Sequence, residues 1–180
     1  MWMAPICLVS EAAELAARRH AGMARKGRGD EPYVNHLAEV ANLLATVTGG
    51  RDADLVAVGW LHDTIEDTAT TQEELADKFN PHVASLVAEV TDDMRLPKST
   101  RRQLQIVDAP GKSPGAKLVK IADKISNIRA RIHSDPSQEE REDLADYVEW
   151  AEKVVAGCRG GNATLDQLFD DTVKLARSSL

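Results

Sequence analysis

The sequence predicts an all-α protein, on the evidence of its apolar spacing, its helix-capping residues and its small core side chains. Apolar residues recur three and four positions apart, and strict alternation is nearly absent. Hydrophobic residues make up 43% of the 180 residues but aromatics only 4%, so Ala, Leu, Val and Ile must build the core. A chain of this length suits one domain, and we predict a single helical domain over residues 1–180.

Capping and turn residues divide this domain into about eight or nine helices. These residues are Asp52, the capping-box patterns Thr71-x-x-Glu74 and Ser137-x-x-Glu140, the cap–proline pairs Asn80-Pro81 and Ser113-Pro114, and the pairs Gly49-Gly50 and Gly160-Gly161. The predicted helices cover roughly residues 5–24, 34–48, 52–67, 71–78, 81–92, 98–108, 114–133, 137–158 and 162–178. Neither an internal repeat nor a linker interrupts them.

The composition argues against several classes of protein. A net charge of −7 disfavours generic nucleic-acid binding, which requires many phosphates to be neutralised. The chain has no window of about eighteen apolar residues and no basic leader, so we predict neither a membrane span nor a secretory signal. Cys7 and Cys158 lie far apart and form no C-x-x-C pair, which argues against a disulfide framework or a cysteine metal site. We therefore expect a reducing, cytoplasmic location.

The basic residues nevertheless fall into two clusters. The first comprises Arg18, Arg19, Arg25, Lys26 and Arg28, and the second comprises Lys112, Lys117, Lys120, Lys124, Arg129 and Arg131. Taken singly, each is explained as a solvated charge on a helix face. The clusters gain meaning only beside a site that binds an anion.

The segment Leu61–Asp67 is the first candidate for a reaction centre. On the predicted helix, His62 lies one turn before Glu66 and Asp63 one turn before Asp67, so the four groups share one edge. Three acids in this short span repel one another and oppose the helix dipole, which costs stability unless a cation compensates. On this segment alone, a solvent-facing acidic helix end with an incidental histidine stays an alternative.

Two further residues complete a possible metal site. Alone, His36 is most simply a structural histidine and Asp123 a surface partner of Lys120. Together, His36, His62, Asp63 and Asp123 supply two imidazoles and two carboxylates from three predicted helices. This donor set suits Mn²⁺, Fe²⁺ or Zn²⁺ and is incompatible with a soft thiolate site.

Longer motifs surround these residues. They are His20-x-x-x-x-Arg25-Lys26, Glu31-Pro32-Tyr33-Val34-Asn35-His36, His62-Asp63-Thr64-Ile65-Glu66-Asp67-Thr68, Val90-Thr91-Asp92-Asp93, Leu96-Pro97-Lys98, Ser113-Pro114-Gly115-Ala116, Lys117-Leu118-Val119-Lys120-Ile121-Ala122-Asp123-Lys124-Ile125-Ser126-Asn127-Ile128 and Tyr147-x-Glu149-Trp150-Ala151. With the order H…HD…D, they resemble the HD-domain phosphohydrolases, and among these the hydrolase domain of RelA/SpoT alarmone enzymes and its small Mesh/SpoT-homologue relatives. The resemblance covers about residues 8–175. Met23 stands where many relatives carry Gln, and Leu37 where they carry Pro.

The resemblance implies an all-α HD-domain bundle that uses Mn²⁺ to remove pyrophosphate from the 3′ position of guanosine tetra- or pentaphosphate, giving GDP or GTP. It implies His36, His62, Asp63 and Asp123 as metal ligands, and Glu66 and Asp67 as the pair that positions and deprotonates the attacking water. The substrate contacts it implies are Arg25 and Lys26 at the guanine base, Asn127 and Tyr147 at the ribose or its phosphates, and Lys98, Arg101 and Arg102 at the phosphates.

Two other readings stay open. The same site could remove the 2′-phosphate of NADPH or act as another HD-type nucleotide phosphohydrolase. A binding protein with a decayed metal site is the third reading, and the intact ligand set argues against it. No segment resembles a nucleotidyl-transfer or regulatory domain, so we expect hydrolysis without synthesis. The expected partner is the small nucleotide alone, without nucleic acid, membrane or another protein.

Overall fold

The computed structural model describes residues 3–25, 31–132 and 136–180, and the regular secondary structure of this part of the chain is helical. Its only extended pairing is one isolated bridge between Ala24 and Pro32. The helices are α1 (Pro5–Arg19), α2 (Val34–Thr48), α3 (Ala53–Leu61), α4 (Thr64–Asp67), α5 (Gln72–Lys78), α6 (Pro81–Val90), α7 (Lys98–Asp108), a 3₁₀ turn (Ala109–Gly111), α8 (Pro114–Arg131), α9 (Gln138–Ala156) and α10 (Ala163–Ser178). The predicted all-α class is confirmed.

Several of the predicted caps open helices as expected. The side chain of Asp52 accepts a hydrogen bond from the Leu55 amide at the start of α3, and Ser113 caps α8 in the same way. Ser137 and Glu140 form a complete capping box at the start of α9. Each cap satisfies amides that the first helical turn leaves without a partner, so it fixes where the helix begins.

The predicted helix over residues 52–67 is divided in two at His62 and Asp63. In a continuous helix, the Gly59 carbonyl would accept from the amide four residues later, but the His62 ring takes that carbonyl instead, with Nδ1 2.9 Å from the oxygen. Helix α3 ends at Leu61 and α4 begins at Thr64. The break leaves the His62 and Asp63 side chains at the head of a new turn rather than along one straight edge.

Close packing between α2 and α3 brings the two candidate histidines together. A Cβ atom at Gly59 would lie 2.7 Å from Ala41 Cα, so only glycine permits this approach. His36 is in the first turn of α2, and His62 directly follows α3. Helix α8 packs against α2 and carries Asp123 on a largely buried surface. Three helices thus deliver ligands to one point.

Helix α7 differs from the other long helices because it buries no residue. It packs mainly on α9 and the 3₁₀ turn, at the edge of the bundle. Within the described ranges, no helix is both long enough and apolar enough to cross a membrane.

Candidate active site

The four predicted metal ligands meet in a small polar cluster. The Nε2 atoms of His36 and His62 are 3.2 Å apart. Asp63 Oδ2 lies 3.4 Å from His36 Nε2 and 3.1 Å from His62 Nε2. Asp123 Oδ1 lies 3.3 Å and 3.8 Å from the same two atoms. For metal–ligand bonds of about 2.1 Å, neighbouring donors on one ion lie ~3.0–3.5 Å apart, and four of these five distances fall in that range. Among the described residues, the donor atoms of His36, His62 and Asp123 all lie within 4.8 Å of one another, which suits a shared divalent cation, and Asp63 contacts both histidines of this group.

The electrostatics of the cluster favour a positive charge. Burial lowers the pKa of His62, but Asp63 and Asp123 outweigh that effect and raise it to about 10. In turn, the histidines hold the pKa of Asp63 well below its ordinary value despite burial, and Lys124 and the histidines do the same for Asp123. Two ionised carboxylates in a buried site require a compensating cation, and a metal ion can supply it.

Three further hydrogen bonds fix the two carboxylates. Asp63 Oδ2 accepts a hydrogen bond of 2.7 Å from the Tyr33 hydroxyl. Asp123 Oδ2 accepts from Lys124 Nζ at 2.7 Å, while its Oδ1 accepts from Asn127 Nδ2 at 2.6 Å. These partners orient the carboxylates toward the histidines, as partners of metal ligands generally do.

Of the predicted catalytic pair, Glu66 faces the cavity beside the cluster. Its Oε2 accepts from the Asp92 amide at 3.0 Å. Burial, with the nearby charges of Asp63 and Asp92, raises the pKa of Glu66 to about 7, although the Asp92 amide acts in the opposite direction. A carboxylate with this pKa can accept and release a proton near neutral pH.

Asp67 occupies a different position. It is absent from the residues that line the cavity. Burial and the charge of Asp63 raise its pKa, while His20 and Tyr33 lower it. The structure therefore separates the surroundings of Glu66 and Asp67, which sequence spacing alone had treated as equivalent.

The cavity next to the ligands measures about 370 Å³ and carries a basic wall. Helices α7 and α8 contribute its cations, which are Lys98, Arg101, Arg102, Lys120, Lys124 and Arg131. Three of these residues belong to the second predicted basic cluster, and the other three are the predicted phosphate contacts Lys98, Arg101 and Arg102. The same lining holds six carboxylates, those of Asp63, Glu66, Asp92, Asp123, Asp143 and Asp146. The cavity therefore offers cations to an anionic ligand next to the acids of the candidate metal centre.

The structure places the described members of the predicted substrate contacts in two different settings. Asn127 and Tyr147 line the cavity with Lys98 and Arg101, and the Arg131 guanidinium stacks on the Tyr147 ring at 3.9 Å. Arg25 is buried, does not line the cavity, and directs Nη2 at Ser126. Lys26 lies outside the described residues.

The sequence reasoning did not assign roles to several cavity neighbours. Trp150 stacks between two cations, with Arg102 at 4.6 Å and Lys124 at 4.5 Å from its ring centre, and its Nε1 donates to the Arg102 carbonyl at 3.0 Å. The Tyr147-x-x-Trp150 spacing was the available signal, because it places both rings on one face of α9. Tyr33, three residues before His36, carried a comparable signal.

The fold and the cluster define an HD-domain protein. The family model described as HD domain matches residues 12–150, which is most of the chain. Among curated proteins, the chain is 44% identical over 164 residues to the human protein named guanosine-3′,5′-bis(diphosphate) 3′-pyrophosphohydrolase MESH1, covering 91% of this chain and 92% of that protein. It is 38% identical over 167 residues to the protein of the same name from Drosophila melanogaster, covering 93% of each. The chain belongs to the HD-domain family and, within it, to the MESH1 group.

A solved structure supports the same grouping. The structure described as a metazoan ortholog of SpoT that hydrolyses ppGpp superimposes with a TM-score of 0.87 and 36% identity, covering 99% of both chains. The similarity therefore extends over nearly the whole helical arrangement, including the three helices that bring the candidate ligands together.

Proposed function

We propose that this protein hydrolyses guanosine 3′,5′-bis(diphosphate) and the corresponding pentaphosphate to GDP or GTP plus pyrophosphate, with Mn²⁺ as its metal. The observation that carries the proposal is the convergence of two imidazoles and two carboxylates beside Glu66, in a cavity whose lining includes six Lys and Arg side chains. The printed names of the human and fly relatives support the substrate. Similarity over more than nine-tenths of the human relative supports transfer of the whole activity.

In this proposal, His36, His62, Asp63 and Asp123 hold the metal. Mixed imidazole and carboxylate donors suit Mn²⁺, because it prefers oxygen and nitrogen ligands of this hardness. When bound, the divalent ion lowers the pKa of a coordinated water and polarises a phosphoryl oxygen. Tyr33, Lys124 and Asn127 keep the ligand carboxylates oriented through the hydrogen bonds they donate.

Glu66 is the proposed general base. The attacking water gives its proton to the Glu66 carboxylate, and its oxygen bonds to the phosphorus attached to the ribose 3′ oxygen. The bond between that phosphorus and the 3′ oxygen breaks, so pyrophosphate leaves and the nucleotide regains a 3′ hydroxyl on protonation. Asp67, which does not line the cavity, is assigned a supporting role in positioning the water.

The basic wall is proposed to bind the remaining phosphates. Lys98 and Arg101 project from α7, and Arg102 is fixed beside them by Trp150. Arginine suits this role because its planar donor pairs match phosphate oxygens. Asn127 and Tyr147 are assigned to the ribose or its phosphates, and Lys26 to the base, as the family resemblance implies. Arg25, which the resemblance also implies at the base, is left out of the proposed contacts because it is buried, bonded to Ser126 and absent from the cavity lining.

A substrate panel tests the proposal. Purified protein with Mn²⁺ is offered guanosine 3′,5′-bis(diphosphate), the pentaphosphate, NADPH and cyclic nucleotides, and released pyrophosphate and phosphate are measured separately. We expect pyrophosphate from the two guanosine substrates, and none after chelation. If NADPH alone loses phosphate, the substrate assignment is wrong although the reaction class stands. If every substrate survives with metal bound, the enzymatic proposal fails.

A further inference from the structure

We propose that Ser126 is a positioning residue for the metal centre, which fixes the proton of His36 on Nδ1 so that the lone pair of Nε2 faces the other ligands. The inference rests on the assignment of His36 as a ligand in the proposed function. Ser126 is completely buried in α8, three residues after Asp123. It does not line the cavity.

The hydroxyl of Ser126 has three polar neighbours but only one proton. Its Oγ lies 2.6 Å from Glu39 Oε2, 2.8 Å from Arg25 Nη2 and 2.9 Å from His36 Nδ1. A carboxylate only accepts and a guanidinium only donates, so the hydroxyl must give its proton to Glu39 and accept from Arg25. That leaves Ser126 Oγ as an acceptor toward His36.

Arg25 cannot serve as the donor to His36 instead. Its Nη2 carries two protons, and the short contacts to the Ser126 carbonyl at 2.7 Å and the Ser126 hydroxyl at 2.8 Å use both. The third contact, to His36 Nδ1, is longer at 3.3 Å. Because neither neighbour has a proton to offer, His36 Nδ1 must itself be the donor. The other ring nitrogen then keeps its lone pair for the cluster.

The ionised state of Glu39 determines that the Ser126 hydroxyl donates its proton to Glu39. Burial raises the pKa of Glu39, but the Ser126 hydrogen bond and the charges of Arg129 and Arg25 outweigh it, so the pKa lies below its ordinary value. Arg129 Nη1 also donates to Glu39 Oε1 at 3.0 Å. The carboxylate therefore stays an acceptor and holds the Ser126 proton away from the histidine.

A comparison with His62 shows why the position of the His36 proton depends on Ser126 and its partners. The His62 Nδ1 atom faces the Gly59 carbonyl at 2.9 Å, and a carbonyl can only accept. The backbone alone thus fixes the His62 proton. A serine hydroxyl can either donate or accept, so Ser126 fixes His36 only because Glu39 and Arg25 determine which it does.

Metal binding by Ser126→Ala tests the proposal. Affinity for Mn²⁺ alone is measured by titration calorimetry, and the His36 ring nitrogens are observed by ¹⁵N NMR in protein loaded with diamagnetic Zn²⁺. We expect Mn²⁺ affinity to fall roughly 10–100-fold, the usual effect of losing a partner of a ligand histidine. The hydrogen-bonded Nδ1–H signal of His36 should be lost or broadened, while that of His62 is kept.

Two controls separate this effect from a general loss of packing. Thr172→Ala removes another buried hydroxyl, one bonded only to the Leu168 carbonyl of its own helix, and should bind Mn²⁺ as the wild type does. Glu39→Ala keeps the serine but frees its proton, so it should weaken Mn²⁺ binding in the same direction and by less. Glu74→Ala breaks a comparable glutamate–arginine pair at Arg19 and should leave metal affinity unchanged.

The outcomes distinguish this inference from the proposed function. If wild-type protein binds no metal, the proposed function fails first. If the wild type binds Mn²⁺ and Ser126→Ala binds it equally well with an unchanged His36 signal, the positioning role is wrong and the proposed function stands. Should Ser126→Ala lack a cooperative thermal transition, Glu39→Ala decides, and an unchanged affinity there overturns the role.

Discussion

The two walls of the cavity are built in opposite ways. The ligand wall is buried, with His36 exposing 1% of its surface, His62 5% and Asp123 9%. The facing wall, α7, buries no residue, and its Lys98 is exposed. The ligand wall holds its polar side chains inside the bundle, whereas α7 lies at the edge and is held by its packing on α9, by Trp150 and by a hydrogen bond from Gln105 to Asp92.

The contrast separates two tasks. Chemistry at phosphorus needs groups fixed within a fraction of an ångström in a site of low polarity. Attraction of a polyanion needs only positive charge within reach, and flexible exposed side chains supply it. Changes to the ligand wall should therefore have large effects on rate, and changes to α7 should have small effects on substrate affinity.

The largest effect is expected from removing a ligand. His62→Ala should lose both Mn²⁺ binding and pyrophosphate release, because the metal supplies several kcal/mol of transition-state stabilisation, roughly a thousandfold in rate or more. Calorimetry and a pyrophosphate assay measure the two losses. His82→Ala, at an exposed histidine of α6, should change neither. Full activity of His62→Ala would contradict a role for the metal in the reaction.

The next effect is expected from Glu66→Gln. The amide is similar in size but cannot take the water proton, so we expect Mn²⁺ affinity to persist while kcat falls about 10²–10⁴-fold. Glu73→Gln, at an exposed position on α5, is the matched control. Loss of metal in Glu66→Gln would instead make Glu66 a ligand.

The same residue predicts a pH-dependent effect on stability. The folded-state pKa of Glu66 is raised from 4.5 to about 7, so the folded protein binds this proton more tightly than the unfolded chain does. Metal-free wild type should thus lose stability as pH rises from 4.5 toward 7. Above pH 7, Glu66→Gln should be more stable by about 2 kcal/mol, after a discount for partial solvent access.

Denaturant unfolding without metal measures this difference. The gap between variant and wild type should close below about pH 4.5, where Glu66 is protonated in both states. A gap that stays constant with pH would show that packing, rather than the buried charge, separates the two proteins.

The smallest effect is expected on α7. Lys98→Ala should raise KM roughly two- to fivefold with kcat nearly unchanged, because an exposed charge contact contributes up to ~1 kcal/mol. The increase should shrink as salt screens the charge. Lys174→Ala, an exposed lysine on α10 away from the cavity, provides the control. A large fall in kcat for Lys98→Ala would contradict the proposed division of tasks.

Local signals explain why much of the fold could be predicted. The predicted ranges 34–48 and 98–108 coincide with α2 and α7, and caps such as Ser137 open their helices. The break at His62 could not be predicted from periodicity, because apolar spacing continues through it. It depends on a ring nitrogen that takes a backbone carbonyl. Helix α1 likewise ends at Arg19 rather than near residue 24, with Gly22 beyond it at a φ of 77°.

The candidate site likewise contains features that the sequence predicts and features that it does not. Residue chemistry and chain order predicted four candidate ligands, whose side chains the structure brings together. The supporting contacts needed three-dimensional packing, because Arg25 reaches Ser126 across 101 positions of sequence. A weaker local signal was present, since Glu39 follows His36 and Ser126 follows Asp123 by three residues, one helical turn in each case.

Hydrolysis in ¹⁸O-labelled water tests the central claim most directly. With Mn²⁺ and guanosine 3′,5′-bis(diphosphate), attack of a metal-held water at the 3′ pyrophosphate predicts one ¹⁸O atom in the released pyrophosphate and none in GDP, by mass spectrometry. Label in GDP, or release of inorganic phosphate in place of pyrophosphate, would contradict the proposed chemistry at this cluster.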